Sequence, residues 1–187
     1  LSRAVWARAL EAMAGWPDAL SAARVALNIT AADVAAPEMA AELIAMAAAA
    51  GIACSRLTVE VTEAALIERI DMAAASLGTL RAAGMCAALD DFGTGYSGLS
   101  WLKQLPVDYI KIDSGFSRDA AGAARDQAVL RGVIDIAHAL DLSVLAEGVE
   151  TIEQRDRLKA MGCRWYQGYL RAPALATRDF VDFAAAN

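Results

Sequence analysis

The sequence contains few of the residues that dominate zinc and disulfide chemistry. Among its 187 residues there are three cysteines and one histidine. Cys54, Cys86 and Cys163 are widely spaced and form no CxxC pair, so neither a zinc site nor a disulfide framework is indicated. Buried thiols are the expected state of all three. The only histidine, His138, lies in a helical pattern. Because there is a single histidine, any site that needs two is excluded.

Long apolar runs and an excess of positive charge are also missing. No apolar stretch reaches the roughly 18–20 residues that span a bilayer, and no basic segment precedes an apolar one. Seventeen basic residues stand against 23 acidic ones, and no basic stripe is visible, which argues against binding of long nucleic acid. We therefore predict a cytoplasmic protein without a membrane segment. An acidic chain can still bind a phosphorylated ligand where metal ions or local lysines invert the charge at the site.

What the chain does contain is a series of short apolar runs that end in polar residues. Six such runs cover 25–28, 57–60, 85–91, 109–113, 143–147 and 163–167. Helical sequence separates them, with helices predicted over 3–14, 37–50, 64–83, 99–104, 120–140, 152–161 and 177–185, the last capped by Thr177. Repeated βα units of this size predict parallel strands with helices outside.

Two architectures compete for such a pattern, a (β/α)8 barrel and an open doubly wound sheet. Functional groups collect at the carboxyl ends of several strands in a barrel, whereas an open sheet concentrates its site at one switch point. Polar residues at all six strand ends favour the barrel. A barrel typically takes about 250 residues, so we expect one N-terminally incomplete domain over 1–187, with about six βα units and the first two strands missing.

The glycine-rich segment 93–98 matches the pattern G-x-G-x-x-G, and Asp113 lies 20 residues beyond its first glycine. Taken alone, this pattern predicts a dehydrogenase that binds NAD and needs no metal. Asp90 and Asp91 stand immediately before the loop, where they would repel a pyrophosphate. Adjacent carboxylates at a strand end are better explained as ligands of a hard cation such as Mg²⁺ or Mn²⁺.

If the strand ends converge, they supply the groups needed for metal-assisted hydrolysis of a phosphodiester. The candidate oxygen ligands are Asn28, Glu60, Asp90, Asp91 and Glu147. Two divalent ions about 3.5–4 Å apart would clamp the phosphodiester and activate a water. Lys111 is a candidate for stabilising the developing charge or holding that water, and Gln167 for positioning the water or a ligand. For any one of these residues alone, a strand-end hydrogen bond or salt bridge is an equally good interpretation.

Two further glutamates are expected in the loops just above the strand ends. Glu63 follows Glu60 by three residues, and Glu150 follows Glu147 by the same distance. Glu63 either holds the glycine loop through backbone N–H groups or is a helix N-terminal charge that the helix dipole favours. The sequence does not distinguish these two interpretations.

Six motifs occur in the order seen in one protein family. They are Asn28-Ile-Thr30, Glu60-Val-Thr-Glu63, Asp90-Asp-Phe-Gly-Thr-Gly-Tyr-Ser97, Lys111-Ile-Asp113, Ala146-Glu-Gly-Val-Glu150 and Gln167-Gly-Tyr169. In these motifs the chain resembles EAL domains, the bacterial cyclic di-GMP phosphodiesterases. The resemblance implies a TIM-like α/β barrel, Mg²⁺- or Mn²⁺-dependent cleavage of cyclic di-GMP to linear pGpG, and a homodimer. It also implies sensor or diguanylate cyclase domains as fused or separate partners.

The resemblance also implies roles for individual residues. The metal-site residues by motif match are Asn28, Glu60, Asp90, Asp91 and Glu147, the catalytic ones are Lys111, Glu147, Gln167 and Glu63, and the substrate or loop residues are Asp113, Gly93, Thr94, Gly95 and Glu150. Glu63 resembles the glutamate that anchors the glycine loop and links catalysis to dimerisation.

One part of the family pattern is missing. The Glu-Ala-Leu motif that names the family belongs at the end of an early strand, well before Asn28. Glu11-Ala-Met13 is only a superficial match, because it lies within a predicted helix. This absence motivates the alternative of a catalytically inactive cyclic di-GMP receptor or interaction domain. A Glu-Ala-Leu strand encoded upstream would favour the enzyme.

Overall fold

A computed structural model of the chain describes residues 1–67, 69–93, 102–120 and 122–186. The strands in these residues are β1 (Val25–Ile29), β2 (Leu57–Thr62), β3 (Cys86–Phe92), β4 (Tyr109–Ile112), β5 (Ser143–Ala146) and β6 (Trp165–Tyr166). The helices are α1 (Ser2–Ala14), α2 (Ala31–Val34), α3 (Met39–Ala49), α4 (Glu63–Ile67), α5 (Ile70–Ala82), α6 (Ser114–Asp119), α7 (Ala124–Ala139), α8 (Ile152–Ala160) and α9 (Thr177–Ala185), with 3₁₀ turns at Asp18–Leu20 and Cys54–Arg56.

The strands form a sheet whose order follows the sequence from β1 to β6. The register of four strand pairs is parallel, as in β4 and β5, where Tyr109 lies opposite Ser143 and Ile112 opposite Ala146. Each of the six predicted apolar runs coincides with a strand or contains one. In the part of the chain that the structure describes, helices lie between β1 and β2, β2 and β3, β4 and β5, and β5 and β6. The prediction of a parallel sheet built from βα units is confirmed. No helix in the described residues has both the length and the apolar character needed to cross a bilayer.

Two compact units divide the chain. The first comprises Leu1–Val61, Ala65–Ala87 and Ala174–Asn187, and the second comprises Thr62–Ala64 and Ala88–Pro173. In the first unit, strands β1 and β2 pair in register, and alternate residues of β1 such as Leu27 and Ile29 are buried. The core of this unit also contains Trp6, Leu43 and Leu77 from helices α1, α3 and α5.

A buried polar network ties α1 to the start of α2 in the first unit. Asp33 is only 4% exposed, and its carboxylate accepts hydrogen bonds from Ser2 Oγ (2.7 Å), Thr30 N (2.9 Å) and Thr30 Oγ1 (2.7 Å). It also forms an ion pair with Arg3. Burial alone would raise the pKa of Asp33, but these hydrogen bonds and the Arg3 charge hold the pKa below its usual value.

The second unit contains the ends of the strands that carry the charged residues. Strands β4 and β5 contribute to the hydrophobic core, because four of their residues are fully buried: Ile110, Ile112, Val144 and Ala146. Helix α7 packs against β5 and buries Leu130 and Ile134 among its apolar residues. A rigid apolar support of this kind fixes the strand ends that follow it.

Two predicted helices differ from those observed. The predicted helix 64–83 is two helices, α4 and α5, with Arg69 as a non-helical N-cap (φ −149°, ψ 54°) before the second. The predicted helix 120–140 begins only at Ala124, because the backbone at Ala123 is extended (φ −64°, ψ 154°). A separate helix, α6, precedes it with Asp113 as its cap. The alanine-rich pattern indicates helix propensity but does not mark these breaks.

The predicted cap of the last helix is also wrong. Thr177 is the first residue of α9, and Ala176 holds the N-cap position without a side-chain hydrogen bond. The extended backbone of Ala176 places Thr177 inside the helix, where its hydroxyl is not in the capping position. Residues 99–101 of the predicted helix 99–104 lie outside the described residues.

Candidate functional site

Strand β3 ends in an irregularity that brings two adjacent carboxylates to one place. Leu89 lies opposite Ile110 and Phe92 opposite Ile112, so Asp90 and Asp91 together occupy the space of one residue on β4. Asp91 has a left-handed backbone (φ 55°), which aspartate tolerates better than most residues. Neighbouring side chains of a regular strand point to opposite faces. The bulge therefore explains how two successive aspartates contribute to one cluster.

Glu147 completes this acidic cluster from the end of β5. One ligand oxygen from each of Asp90, Asp91 and Glu147 can be chosen so that all three lie within 4.8 Å of one another. Three carboxylates are hard oxygen donors, which match Mg²⁺ or Mn²⁺ rather than a soft metal. The residues present thus fit the kind of ion that the sequence predicts.

Lys111 lies between two members of the acidic cluster. Its Nζ is 3.0 Å from Asp90 Oδ1 and 2.6 Å from Glu147 Oε1, and the residue is 4% exposed. A buried lysine is rarely found without such pairing. Its position in β4, directly opposite the β3 bulge, aims the side chain at the carboxylates on both neighbouring strands.

Gln167 follows β6 and contacts the same carboxylate oxygen as Lys111. Gln167 Nε2 donates to Glu147 Oε1 at 2.7 Å. The Gln167 backbone is fixed on both sides, because its N–H donates to Ala146 O (2.9 Å) and its carbonyl accepts from Val149 N (3.0 Å). The lack of a side chain at Gly168 lets the backbone pass this close to Val149, since a Cβ at Gly168 would lie 2.3 Å from Val149 O.

The cluster is electrostatically unfavourable for one of its members. Burial raises the pKa of Asp91, the negative charges of Asp90 and Asp113 raise it further, and Lys111 offsets part of this. A cation bound among the carboxylates would favour the ionised form of Asp91. Like-charge crowding of this kind is typical of functional sites.

Glu63 contacts the first glycine of the loop that follows β3. It is the first residue of α4 and is 3% exposed. Gly93 N donates to its Oε2 at 3.4 Å, while its buried Oε1 has no partner within the part of the chain that the structure describes. Burial raises the pKa of Glu63, and the Gly93 hydrogen bond opposes this shift. Both interpretations of Glu63 are compatible with this geometry, since it starts a helix and also contacts the loop.

The other predicted loop residues have structural partners or lie outside the described chain. Asp113 caps α6, and its Oδ1 accepts from Gly115 N at 2.8 Å. Glu150 lies in the loop after β5, where its N–H donates to Gln154 Oε1 at 2.8 Å. Thr94 and Gly95 lie outside the described residues.

Asn28 and Glu60 belong to the first unit and come together there. They are direct register partners on β1 and β2. Asn28 is exposed, and its carbonyl accepts from Trp6 Nε1 at 3.1 Å, whereas Glu60 is 7% exposed. The structure therefore groups the predicted residues in two sets, this pair in the first unit and Asp90, Asp91, Lys111, Glu147 and Gln167 in the second.

Sequence reasoning missed residues that touch the backbone beside the carboxylates. Phe116 contacts Gly93, and Ser114 contacts Gly148. The signal in the sequence is the glycine two residues after Asp91 and the glycine directly after Glu147. A glycine in that position indicates a left-handed turn or a close approach of another chain segment, but it does not say which segment approaches.

Comparison with known proteins decides the family. The profile of the EAL domain matches residues 1–174. The chain belongs to the EAL domain family. The order of motifs and the geometry of the second unit agree with this assignment, and the sequence prediction of the family is confirmed.

Two relatives of this EAL domain are phosphodiesterases of Pseudomonas aeruginosa. The chain is 37% identical over 183 residues to the cyclic di-GMP phosphodiesterase PA2567, covering 98% of this chain and 31% of that protein. It is 38% identical over 163 residues to the cyclic di-GMP phosphodiesterase NbdA, covering 87% of this chain and 21% of that protein. The chain thus spans about a fifth to a third of the length of these curated relatives.

Solved structures share the fold. A complex of the phosphodiesterase PaMucR with c-di-GMP matches with a TM-score of 0.87 and 32% identity, over 94% of this chain and 72% of that one. The EAL domain of Mycobacterium smegmatis DcpA matches with a TM-score of 0.91 and 28% identity, over 99% and 84%. A manganese and cy-diGMP complex of Klebsiella pneumoniae BlrP1 matches with a TM-score of 0.80 and 35% identity, over 89% and 42%. The predicted TIM-like barrel class is confirmed.

Proposed function

We propose that this EAL domain hydrolyses cyclic di-GMP to linear pGpG in a reaction that depends on Mg²⁺ or Mn²⁺. The observation that supports this most is the acidic cluster of Asp90, Asp91 and Glu147, with Lys111 bridging two of its carboxylates. Relatives named cyclic di-GMP phosphodiesterases and a related structure that contains manganese and the dinucleotide add support.

In this proposal, Asp90, Asp91 and Glu147 hold the divalent cations. Bound cations of this type activate water at neutral pH and neutralise charge on phosphate oxygens. The carboxylates also keep the site negative when no cation is present, so the dinucleotide, itself an anion, is expected to bind weakly without metal. Cation and substrate affinity are therefore coupled.

Lys111 supplies the positive charge that the chain itself contributes to the reaction. Because Lys111 is buried, its field is screened less than that of a surface lysine. We propose that it stabilises negative charge that develops on the phosphodiester and holds the attacking water. Its ion pairs with Asp90 and Glu147 fix the ammonium group, so little reorganisation is needed during the reaction.

Gln167 orients Glu147 and leaves an amide oxygen to act as an acceptor. The donated hydrogen bond of 2.7 Å fixes one carboxylate oxygen of Glu147. We propose that the Gln167 side-chain oxygen accepts a hydrogen bond from the attacking water, which aligns the water for in-line attack. Replacing the amide by an apolar group of similar size would remove both contacts.

The remaining residue assignments stay proposals. Asn28 and Glu60 are proposed as further oxygen ligands, and Glu63 as the anchor of the loop that begins at Gly93. Asp113 and Glu150 are proposed as supports of the loops next to the site. A homodimer and fused or separate signalling domains are proposed as partners, on the family resemblance described from the motifs.

Hydrolysis of cyclic di-GMP by the purified chain, followed by chromatography of the products, tests the proposal. We expect pGpG to form with Mg²⁺ or Mn²⁺. We expect no pGpG to form in the presence of EDTA or with the Lys111→Ala variant. Lys159→Ala serves as the matched control, because this lysine lies on α8 and is exposed. Nucleotide binding without turnover under all metal conditions would instead identify a receptor, and absence of binding would contradict both functions.

A further inference from the structure

Helix α6 begins between the loop that follows β3 and the loop that contains Glu147 after β5. It follows β4, the strand of Lys111, and its first turn contains Ser114 and Phe116. Asp113 caps this turn, with Gly115 N donating to its Oδ1. The loops after β3 and after β5 lie on either side, because β4 pairs with both strands.

Phe116 packs directly against the loop after β3. A Cβ at Gly93 would lie 2.5 Å from Phe116 Cε2 and 2.8 Å from Cζ, so the ring edge occupies the space of a side chain. Gly93 also has a left-handed backbone (φ 96°) and donates its N–H to Glu63. The residue two positions after Asp91 is thus held by a carboxylate and by an aromatic ring.

Ser114 makes the corresponding contact with the loop after β5. A Cβ at Gly148 would lie 2.6 Å from Ser114 Cβ and 3.2 Å from Ser114 Cα. Gly148 has a left-handed backbone as well (φ 63°) and directly follows Glu147. The same turn of helix therefore contacts the backbone beside carboxylates from two different strands.

We propose that Ser114 and Phe116 are positioning residues that set the separation between Asp90 and Asp91 on one side and Glu147 on the other. Neither side chain is a ligand or touches the reacting atoms in this inference. Packed side chains transmit displacement because protein interiors have little free volume. A loss of either contact lets one loop move relative to the other, and the carboxylates lose their arrangement for cations. The inference rests on the proposed metal site but concerns how the chain builds it.

Two variants remove one contact each, and two controls leave both in place. Phe116→Ala removes the aromatic ring that packs against Gly93, and Ser114→Gly removes the Ser114 Cβ that contacts Gly148. Ser114→Ala keeps that Cβ and deletes only the hydroxyl. Arg118→Ala changes an exposed residue of the same helix. If Phe116→Ala does not fold, Phe116→Leu retains apolar volume without the flat ring edge and replaces it in the comparison.

Amide hydrogen exchange of the metal-free 187-residue chain tests the positioning directly. We expect Phe116→Ala to accelerate exchange in residues 88–93, and Ser114→Gly in residues 144–149, by about threefold or more. Both controls should match the unchanged chain in these segments. Unchanged exchange in both variants overturns the inference.

Binding of Mn²⁺, measured by electron paramagnetic resonance of the free ion, then connects positioning to the site. We expect Phe116→Ala and Ser114→Gly to weaken Mn²⁺ binding by roughly tenfold, the scale typical of residues that support ligands. The controls should bind as the unchanged chain does. Faster exchange combined with no Mn²⁺ binding by the unchanged chain would uphold the positioning role and contradict the proposed metal function.

A paired substitution separates positioning from general destabilisation. Gly148→Ala introduces a clash with the Ser114 Cβ. In the double variant Ser114→Gly, Gly148→Ala, that Cβ is gone and the Cα of residue 114, at 3.2 Å, is the nearest atom to the new methyl group. We expect the double variant to bind Mn²⁺ about threefold more tightly than Gly148→Ala alone. Additive weakening in the double variant would contradict a direct contact between these two residues.

Discussion

Oε1 of Glu147 lies 2.6 Å from Nζ of Lys111, so a buried cation is paired with a carboxylate at the centre of the acidic cluster. The same oxygen accepts from Gln167 Nε2 at 2.7 Å. One carboxylate oxygen therefore connects three neighbouring strands, β4, β5 and the end of β6. Any change at Lys111 is expected to alter both the charge of the cluster and the orientation of Glu147.

Replacement of Lys111 by methionine is expected to abolish most turnover without preventing folding. Methionine fills a similar volume but has no charge, so the developing negative charge loses its stabilisation. We expect the rate of cyclic di-GMP hydrolysis to fall by about 10²–10⁴-fold, the range typical of a positioned catalytic group. Chromatography of the products measures the rate, and Mn²⁺ binding checks that the cluster survives. A Lys111→Met variant with more than a tenth of the normal rate would contradict this role.

Because Asp91 has a left-handed backbone, we expect Asp91→Asn and Asp91→Ala to lower the free energy of unfolding by different amounts. Asparagine tolerates this conformation, whereas alanine is expected to lower the free energy of unfolding by about 1–2 kcal/mol more. Both remove a carboxylate, so both should weaken Mn²⁺ binding. Denaturant unfolding without metal separates the backbone cost from the loss of charge.

Asp141 provides the matched control, because it also has a left-handed backbone (φ 58°) but lies outside the cluster. Asp141→Ala should carry the same backbone cost and leave Mn²⁺ binding unchanged. Equal stability of the Asn and Ala variants at both positions would show that the left-handed conformation is not retained.

The Asp33 network predicts how stability depends on pH. The pKa of Asp33 is lowered in the folded chain, so its stabilisation is present above the unfolded value of about 3.9 and is lost as pH falls through the folded value. We expect Asp33→Asn to reduce the free energy of unfolding by about 1–3 kcal/mol at pH 7, with the difference shrinking below about pH 4. Urea unfolding across this pH range provides the measurement.

Glu42 offers the control for this effect, since it also pairs with Arg3 but is 40% exposed at its side chain. Glu42→Gln is expected to change stability by less than about 1 kcal/mol. A pH-independent difference between Asp33→Asn and the unchanged chain would contradict a lowered pKa.

Gly168→Ala is expected to displace Gln167 and lower both stability and turnover. The new Cβ would collide with the backbone of Val149, which cannot move aside as a flexible side chain does. Overpacking of this kind costs about 1–3 kcal/mol. Gly132→Ala is the control, because nothing lies within 4 Å of a Cβ at that helical position. It should stabilise the chain by about 0.5–1 kcal/mol, and a similar gain at Gly168 would exclude the close approach.

The sequence was sufficient to predict the strands and the residues at their ends. Apolar runs that end in a charged residue mark both the core and its edge, which identifies Glu147, and Lys111 stands out as a charged residue inside such a run. The bulge at Asp90 and Asp91 was not predicted, because it depends on pairing with β4 rather than on local pattern.

The contacts of Phe116 and Ser114 were also beyond sequence reasoning. Each joins residues far apart in the chain, and a glycine indicates that something approaches without naming it. Breaks in the predicted helices were missed for a similar reason, since alanine-rich sequence favours helix on both sides of a turn.

Anomalous diffraction from a crystal of the chain with Mn²⁺ shows whether the acidic cluster binds a metal ion. We expect a manganese peak within bonding distance of carboxylate oxygens from Asp90, Asp91 and Glu147, together with loss of that peak in Asp91→Asn. Turnover of cyclic di-GMP by a chain whose manganese lies elsewhere, or that binds none, would contradict this expectation.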